Sequence, residues 1–273
     1  MKLEAFPITG TFGAEIRGPD LSKTLDGDLA AAILDALHEY RVIFFRNQDI
    51  TPAQHVAFSA QLGTVVTDYP AYLSRLEGQP EVTVLDGGAS DSASFWHSDV
   101  SGSEKPPMAS ILVMKEAPAY GGDTFFADAC AAYDALSDRM KVYLEGLRAV
   151  HCISGADRTL RRLTPIGMDP PEPEPGRASH PVVRTHSVTR RKILFVNQGN
   201  TSHIEGVPAP EGDAVLNHLF EHQHQPEFQL RWRWQMGDIA IWDNRSTQHY
   251  AIGDYGDQPR TIHRTTIEGD VPI

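Results

Sequence analysis

Arg260-Thr261-Ile262-His263-Arg264-Thr265-Thr266-Ile267 is the stretch on which the reading of this chain turns. Its β-branched residues predict a strand. Alternate side chains of an extended backbone share a face, so Arg260, Ile262 and Arg264 lie on one side, and Thr261, His263 and Thr265 on the other. Two arginines flanking an isoleucine admit two readings. Either the face is solvated and Ile262 is merely exposed, or the face is interior and each guanidinium has an anion to pair with, because an unpaired buried charge is costly.

Working outward, Asp238-Ile239-Ala240-Ile241-Trp242-Asp243-Asn244-Arg245 leads into Ser246-Thr247-Gln248-His249-Tyr250, and far upstream stands Phe95-Trp96-His97-Ser98-Asp99-Val100. If the upstream run is a strand, His97 and Asp99 reach toward one ion while Ser98 faces away. A third nitrogen, from His249, would complete a set of two histidines and one carboxylate. Such a set leaves coordination positions open and is diagnostic of non-haem Fe(II) oxygenases. A His-x-Asp pair alone is weak in a chain with 12 histidines and 36 acidic residues, and a lone buried histidine is more often a hydrogen-bonded core residue. The downstream segment is what gives the pair meaning.

Trp96-His97-Ser98-Asp99-Val100, Gly121-Gly122-Asp123-Thr124, His180-Pro181-Val182-Val183-Arg184-Thr185-His186, and Trp242-Asp243-Asn244-Arg245 with His249, Arg260 and His263-Arg264 together resemble the taurine dioxygenase family. These are Fe(II)/2-oxoglutarate-dependent dioxygenases, with alkylsulfatase and chlorophenoxyacetate dioxygenases among them. The resemblance covers nearly the whole chain. It implies a mainly β fold with peripheral helices, a double-stranded β-helix or jelly roll. It implies that His97, Asp99 and His249 bind Fe(II), that Thr124 and Arg260 hold the distal carboxylate of 2-oxoglutarate, and that Arg264 faces the anionic head of the substrate. With O2, the implied reaction hydroxylates a taurine-like sulfonate or a sulfate ester and releases succinate and CO2; the adduct then collapses to an aldehyde and sulfite or sulfate. The same chemistry on a carboxylate such as an aryloxy acid is the alternative. Related halogenases lack the carboxylate ligand, so Asp99 argues for hydroxylation. A planar guanidinium fork suits a carboxylate or a sulfonate equally.

The substrate contacts depart from the family pattern. Where taurine dioxygenase has a histidine five residues after a Phe-Gly pair, this chain has Leu62-Gly63 and then Asp68, which cannot donate to a sulfonate and would either pair with a cation or be a solvated loop residue. Ala93 replaces an asparagine, Asn200 an aromatic residue, and Ile153 another. Val100, next to Asp99, is a candidate pocket residue.

With 273 residues and 41% hydrophobic content, the chain is read as a single domain, 1–273. A net charge of −12 argues against nucleic acid as a partner, so any positive charge for a small anionic substrate must be local, as at Arg260 and Arg264. No apolar run suggests a signal peptide or a membrane span, and two cysteines, Cys130 and Cys152, are too few for a disulfide framework. The expectation is a cytoplasmic enzyme with no membrane partner, with a homo-oligomer left open.

Helices are expected around Leu29–Leu37, from Thr51 through Leu62, from about Asp138 to Glu145 and from about Glu211 to Glu221. Val42–Phe45 and Gln229–Trp234 are expected strands, the latter with both tryptophans in the core. Between residues 154 and 179 the pattern stops in a proline-rich run, expected to be either a substrate-gating lid or a passive surface loop. Two other functional classes stand against the oxygenase. His218-Leu219-Phe220-Glu221-His222 matches the His-x-x-Glu-His pattern of zinc metallopeptidases, and a jelly roll also serves non-enzymatic binding proteins.

Overall fold

The computed structural model describes residues 3–67, 74–86, 93–152 and 176–273. Among them the strands are β1 (Glu4–Pro7), β2 (Ala14–Arg17), β3 (Val42–Phe45), β4 (Arg75–Leu76), β5 (Gln79–Leu85), β6 (Ala109–Glu116), β7 (Thr124–Asp128) and β8 (Arg148–Cys152), followed by β9 (Arg177–Pro181), β10 (Val183–Thr185), β11 (Lys192–Leu194), β12 (Thr201–Ile204), β13 (Gln229–Trp232), β14 (Ile239–Asp243), β15 (Thr247–Ala251) and β16 (Thr261–Ile267). The helices are α1 (Gly27–Tyr40), α2 (Pro52–Ala60), α3 (Ala129–Asp134), α4 (Asp138–Leu144) and α5 (Ala209–Gln223).

The larger sheet runs β1-β2-β3-β14-β6-β16-β5-β4, and a smaller sheet runs β13-β7-β15. A period of two decides what lies between them. Val42 and Phe44 of β3, Leu112 and Met114 of β6, Ala240 and Trp242 of β14 and Ile262 of β16 pack with Phe126, Leu230 and Trp232 of the smaller sheet. The intervening residues Ile43, Phe45, Ile111, Val113, Ile239 and Ile241 pack instead with Ile33 and Leu37 of α1 and Phe58 of α2. Both faces of the central strands are therefore buried, which is why their sequences read as continuous apolar runs. This is the jelly roll with helices outside that the motifs implied. A third cluster joins Leu216, Leu219 and Phe220 of α5 to Leu144, Leu194 and Ile204.

Helix boundaries follow local chemistry. Asp26 caps α1 by accepting from the Leu29 amide, and Thr51 and Gln54 form a reciprocal capping box at α2, with Pro52 in the first turn. The interior reading of the last strand is correct for Ile262 and Arg264, both buried; on its other face Thr265 hydrogen-bonds His55 and Ser59 of α2.

Three expectations are corrected. His97 and Asp99 do not share a strand: His97 makes an isolated antiparallel bridge to His249, and Asp99 enters a turn in which Val100 has φ of 47°. A bend there is what lets the segment fall short of a ladder. The strand at Gln229 ends at Trp232, although Trp232 and Trp234 are both buried as expected. The irregular stretch expected to run to residue 179 gives way at Arg177 to β9, which pairs with β8; the rest of that stretch, Ile153 and Asp68 lie outside the described residues. Cys130 and Cys152 are both buried and are not joined in a disulfide. Among the described residues no helix is long and apolar enough to cross a membrane.

Candidate metal and anion site

Three side chains from two segments converge. The His97 amide donates to the His249 carbonyl at 3.1 Å and the His249 amide to the His97 carbonyl at 2.9 Å, which brings the two imidazoles to 4.1 Å between ring centres. β15 supplies His249, whose ring also packs on Trp242 at 4.6 Å. Asp99 Oδ1 then lies 3.9 Å from His97 Nε2 and 3.8 Å from His249 Nε2. Among the described residues this is the cluster of histidine, cysteine and acidic side chains able to hold an ion, its ligand atoms all within 4.8 Å of one another.

The donors suit a divalent metal. His97 Nδ1 lies 2.9 Å from the Phe95 carbonyl; a carbonyl only accepts, so Nδ1 carries the proton and Nε2 presents its lone pair. Burial holds both imidazoles neutral: it depresses the pKa of His97, and together with the facing His97 ring it takes His249 to about 3. Burial alone would raise the Asp99 carboxyl, but the Arg264 guanidinium and the two imidazoles outweigh it and hold the carboxyl at about 2. Two neutral nitrogens and one carboxylate oxygen are the donors a non-haem Fe(II) centre uses.

Asp99 is held from several sides. Ser110 Oγ of β6 donates to Asp99 Oδ2 at 2.7 Å, and Arg264 Nη1 of β16 donates to Oδ1 at 3.2 Å. The Asp99 amide donates to Asn244 Oδ1 at 2.7 Å while Asn244 Nδ2 donates to the Asp99 carbonyl at 3.0 Å. Neither Ser110 nor Asn244 was singled out from the sequence. The signals were a lone serine in the apolar run Ala109–Met114, and an asparagine in the quoted Trp242–Arg245 string.

Arg264 is 8% exposed, and its anionic neighbour here is Asp99 itself. Arg260 immediately precedes the same strand, its Nε donating to the Gly122 carbonyl at 3.1 Å and its guanidinium 5.6 Å from the Tyr255 ring centre. Gly122, at φ of 67°, is needed there because a Cβ would stand 3.1 Å from the Arg260 side chain. Thr124 is buried and its hydroxyl accepts from Trp234 Nε1 at 2.9 Å, which leaves its proton to donate elsewhere. Val100 is half-buried beside Asp99. Asn200 is committed to the framework, donating from Nδ2 to the Ser98 carbonyl at 2.9 Å. Phe95, which the sequence reading passed over, is 45% exposed and leans on the His97 ring at 4.9 Å.

The competing zinc reading fails on geometry. His218 and Glu221 are exposed on α5, and His222 Nε2 lies 2.7 Å from the Ala132 carbonyl, which occupies the nitrogen a metal would need.

Known proteins resemble the chain over nearly its whole length. The family model of the taurine catabolism dioxygenase TauD, TfdA family matches residues 4–266. An alpha-ketoglutarate-dependent sulfate ester dioxygenase of Pseudomonas putida is 37% identical over 283 residues, covering 100% of this chain and 92% of its own. An alpha-ketoglutarate-dependent 2,4-dichlorophenoxyacetate dioxygenase of Cupriavidus pinatubonensis is 34% identical, with 100% of each chain covered. The crystal structure of a taurine dioxygenase from Burkholderia xenovorans superposes with a TM-score of 0.85 at 37% identity, covering 99% of this chain and 91% of the other.

Proposed function

This chain belongs to the taurine catabolism dioxygenase TauD, TfdA family, whose members use Fe(II), 2-oxoglutarate and O2, and from that premise we propose that it hydroxylates a small organic anion, a sulfate ester or sulfonate bearing an apolar tail, at the His97–Asp99–His249 centre. The observation that carries the reading is the convergence of those three donors with Arg264 3.2 Å from Asp99 Oδ1. Because Arg264 contacts the metal-binding carboxylate, a substrate head held by Arg264 sets its adjacent C–H bond beside the metal position.

Each residue has a part. His97 and His249 would hold Fe(II) through Nε2, and Asp99 through Oδ1. Held there with 2-oxoglutarate, Fe(II) would supply O2 activation for C–H hydroxylation, the keto acid being converted to succinate and CO2. Arg260 pairs with the distal carboxylate of 2-oxoglutarate and Thr124 donates to it, a charge-assisted contact that fixes the keto acid's orientation. Arg264 pairs with the sulfate or sulfonate head, and its fork limits how that head can rotate, so one carbon is presented to the reaction. Hydroxylation at the carbon bearing a sulfate ester gives a hemiacetal-like adduct that expels sulfate and leaves an aldehyde; a sulfonate expels sulfite in the same way.

The tail is where this chain parts from a taurine enzyme. Taurine ends in an ammonium group, whereas Phe95 offers an exposed aromatic face against His97, and apolar contact suits an alkyl or aryl chain. Carboxylates such as aryloxy acids fit the same head and tail, and the Cupriavidus relative acts on one by its name. Val100, half-buried beside Asp99, and Asp68 remain proposed lining residues. On this proposal the enzyme is cytoplasmic and forms a single domain, 1–273.

Succinate formation by the purified protein with Fe(II), 2-oxoglutarate and O2 is the test, across taurine, longer alkylsulfonates, alkyl sulfates and aryloxy acids. Stimulation by alkyl sulfates or sulfonates of several carbons, reduced in Phe95→Ala more for long tails than short ones, is expected. Stimulation by taurine above all others would overturn the apolar tail. Absence of succinate from every member, with no uncoupled turnover that His249→Ala removes, would overturn the centre.

A further inference from the structure

Asp99 carries an unusual backbone. It enters a turn whose next residue, Val100, has φ of 47°, a conformation that a β-branched side chain resists by about 1–3 kcal/mol and that persists only when its surroundings enforce it. The turn is closed on its far side by the Ser103 amide donating to the Val100 carbonyl at 3.0 Å. On its near side one side chain does the enforcing. Asn244 accepts from the Asp99 amide at 2.7 Å and donates to the Asp99 carbonyl at 3.0 Å, with a second donation to the Pro107 carbonyl at 3.2 Å. Both groups are buried, Asn244 at 0% and Asp99 at 4% exposure.

A carboxamide is the short side chain that offers an acceptor and two donors at once. Asp at this position would set an oxygen against the Asp99 and Pro107 carbonyls. Ser would reach neither side of the peptide. Asn244 is itself held rigidly: its amide donates to the Met108 carbonyl at 2.8 Å, and on either side Asp243 and Arg245 are joined by Arg245 Nε to Asp243 Oδ1 at 2.8 Å and Arg245 Nη2 to Oδ2 at 2.7 Å. His186 Nε2 completes that anchor, 2.8 Å from Asp243 Oδ2. None of these contacts touches the Asp99 carboxylate, whose oxygens stay with Ser110, Arg264 and the metal position.

We propose that Asn244 is a positioning residue for the metal centre: by gripping the peptide on both sides of Asp99 against the strain at Val100, it aims Oδ1 at the point between His97 Nε2 and His249 Nε2. The inference rests on the proposed ligand set. Its consequence is that Asn244 governs metal affinity and ligand geometry without contacting metal, cosubstrate or substrate.

The probe is Co(II), a divalent ion that accepts the same nitrogen and oxygen donors and absorbs visible light in a way that reports its coordination. Dissociation constants and absorption spectra are measured for the wild-type protein, Asn244→Ala, Asn244→Asp and Thr247→Val, alongside thermal unfolding of each metal-free form. Thr247 hydrogen-bonds the Asp243 carbonyl at 2.9 Å in the same turn and serves as the purely structural comparison. A loss of about 10–100-fold in Co(II) affinity, with an altered spectrum, is expected for both Asn244 variants and not for Thr247→Val at comparable loss of melting temperature. Wild-type affinity and spectrum in folded Asn244→Asp would overturn the inference. Should the single variants fail to fold unaided, the same measurements are made in an osmolyte that strengthens burial, and wild-type affinity and spectrum there would also overturn it. His249→Ala is the control that separates the two levels: if it binds Co(II) as the wild type does, the ligand set is wrong, whereas if it loses Co(II) and the Asn244 variants do not, only the positioning role falls.

Discussion

Replacing Arg264 with methionine removes the cation that faces Asp99 while keeping a long apolar side chain in the same space. At 3.2 Å and an effective dielectric constant of about 20, two unit charges attract by about 5 kcal/mol. Part of that is offset by the desolvation of both groups, and stripping one partner from a buried pair costs about 3–5 kcal/mol. For a chain of this size, about 3 kcal/mol corresponds to a fall in melting temperature of roughly 6–12 °C. The loss should be specific to the metal-free protein. A divalent ion supplies Asp99 with the positive charge that Arg264 provided, so Fe(II) or Co(II) should raise the melting temperature of Arg264→Met more than that of the wild type. The pH dependence should change as well. In the wild type the Asp99 carboxyl lies at about 2, below its unfolded value of about 3.9, so its contribution is complete above pH ~4 and is lost as the pH falls toward 2. Without Arg264, burial raises that carboxyl, and the metal-free variant should lose less stability than the wild type on mild acidification from neutral pH. Thermal unfolding with and without metal, at neutral pH and near pH 5, reads all of this. An equal deficit in both metal states, with the same pH slope as wild type, would refute the account of Arg264 and Asp99 as a coupled pair.

Three other expectations follow from single contacts. His249→Ala should abolish tight metal binding and succinate formation, while His222→Ala, whose ring meets the Ala132 carbonyl and neighbouring rings, should turn over normally; the reverse pattern would return the site to α5. A Cβ on Gly199 would stand 2.6 Å from the Phe95 ring and 3.1 Å from His97 Cβ, so Gly199→Ala should cost about 1–3 kcal/mol and weaken Co(II) binding by displacing His97, and unchanged binding would contradict that packing. His55 and His151 are neutral in the fold, burial taking each to about 3. The unfolded chain takes up those protons near pH 6.5 and the folded one does not, so their contribution is complete above pH ~6.5 and lost by about 1.4 kcal/mol per pH unit per histidine toward pH 3. His151→Asn should flatten the fall in urea-unfolding free energy between pH 7 and 5 by about one such step, and an unaltered slope would speak against a neutral buried His151.

The sequence exposed most of the site because its chemistry is sparse and its spacing rigid. Two arginines and an isoleucine alternating in Arg260–Arg264 left a solvated and an interior face as the two choices, and Ile262 and Arg264 are buried. The core strands were legible for the opposite reason: Val42–Phe45 and Ile239–Trp242 are apolar at every step because helices cover one face and a second sheet the other. What escaped was set by tertiary contact. The pairing of His97 with His249 replaced the strand expected for His97–Asp99, since a bridge to β15 and a left-handed Val100 bring the carboxylate round more sharply than an alternating ladder would. Nothing local to Asn244 or Ser110 announces that the first grips a peptide, and the second a carboxylate, from distant parts of the chain. Polar residues in apolar surroundings were the trace they left.

The reciprocal amide bonds between His97 and His249 also have a kinetic meaning. They join positions so far apart along the chain that the loop between them must close before either histidine acquires its neighbour, and such closures come late and slowly. A nascent or partly folded chain therefore holds no more than isolated imidazoles, each a poor trap for any metal. Loading is deferred until the two sheets have docked, so the ion enters a finished cradle rather than nucleating one, and the metal-free protein is expected to fold to completion on its own.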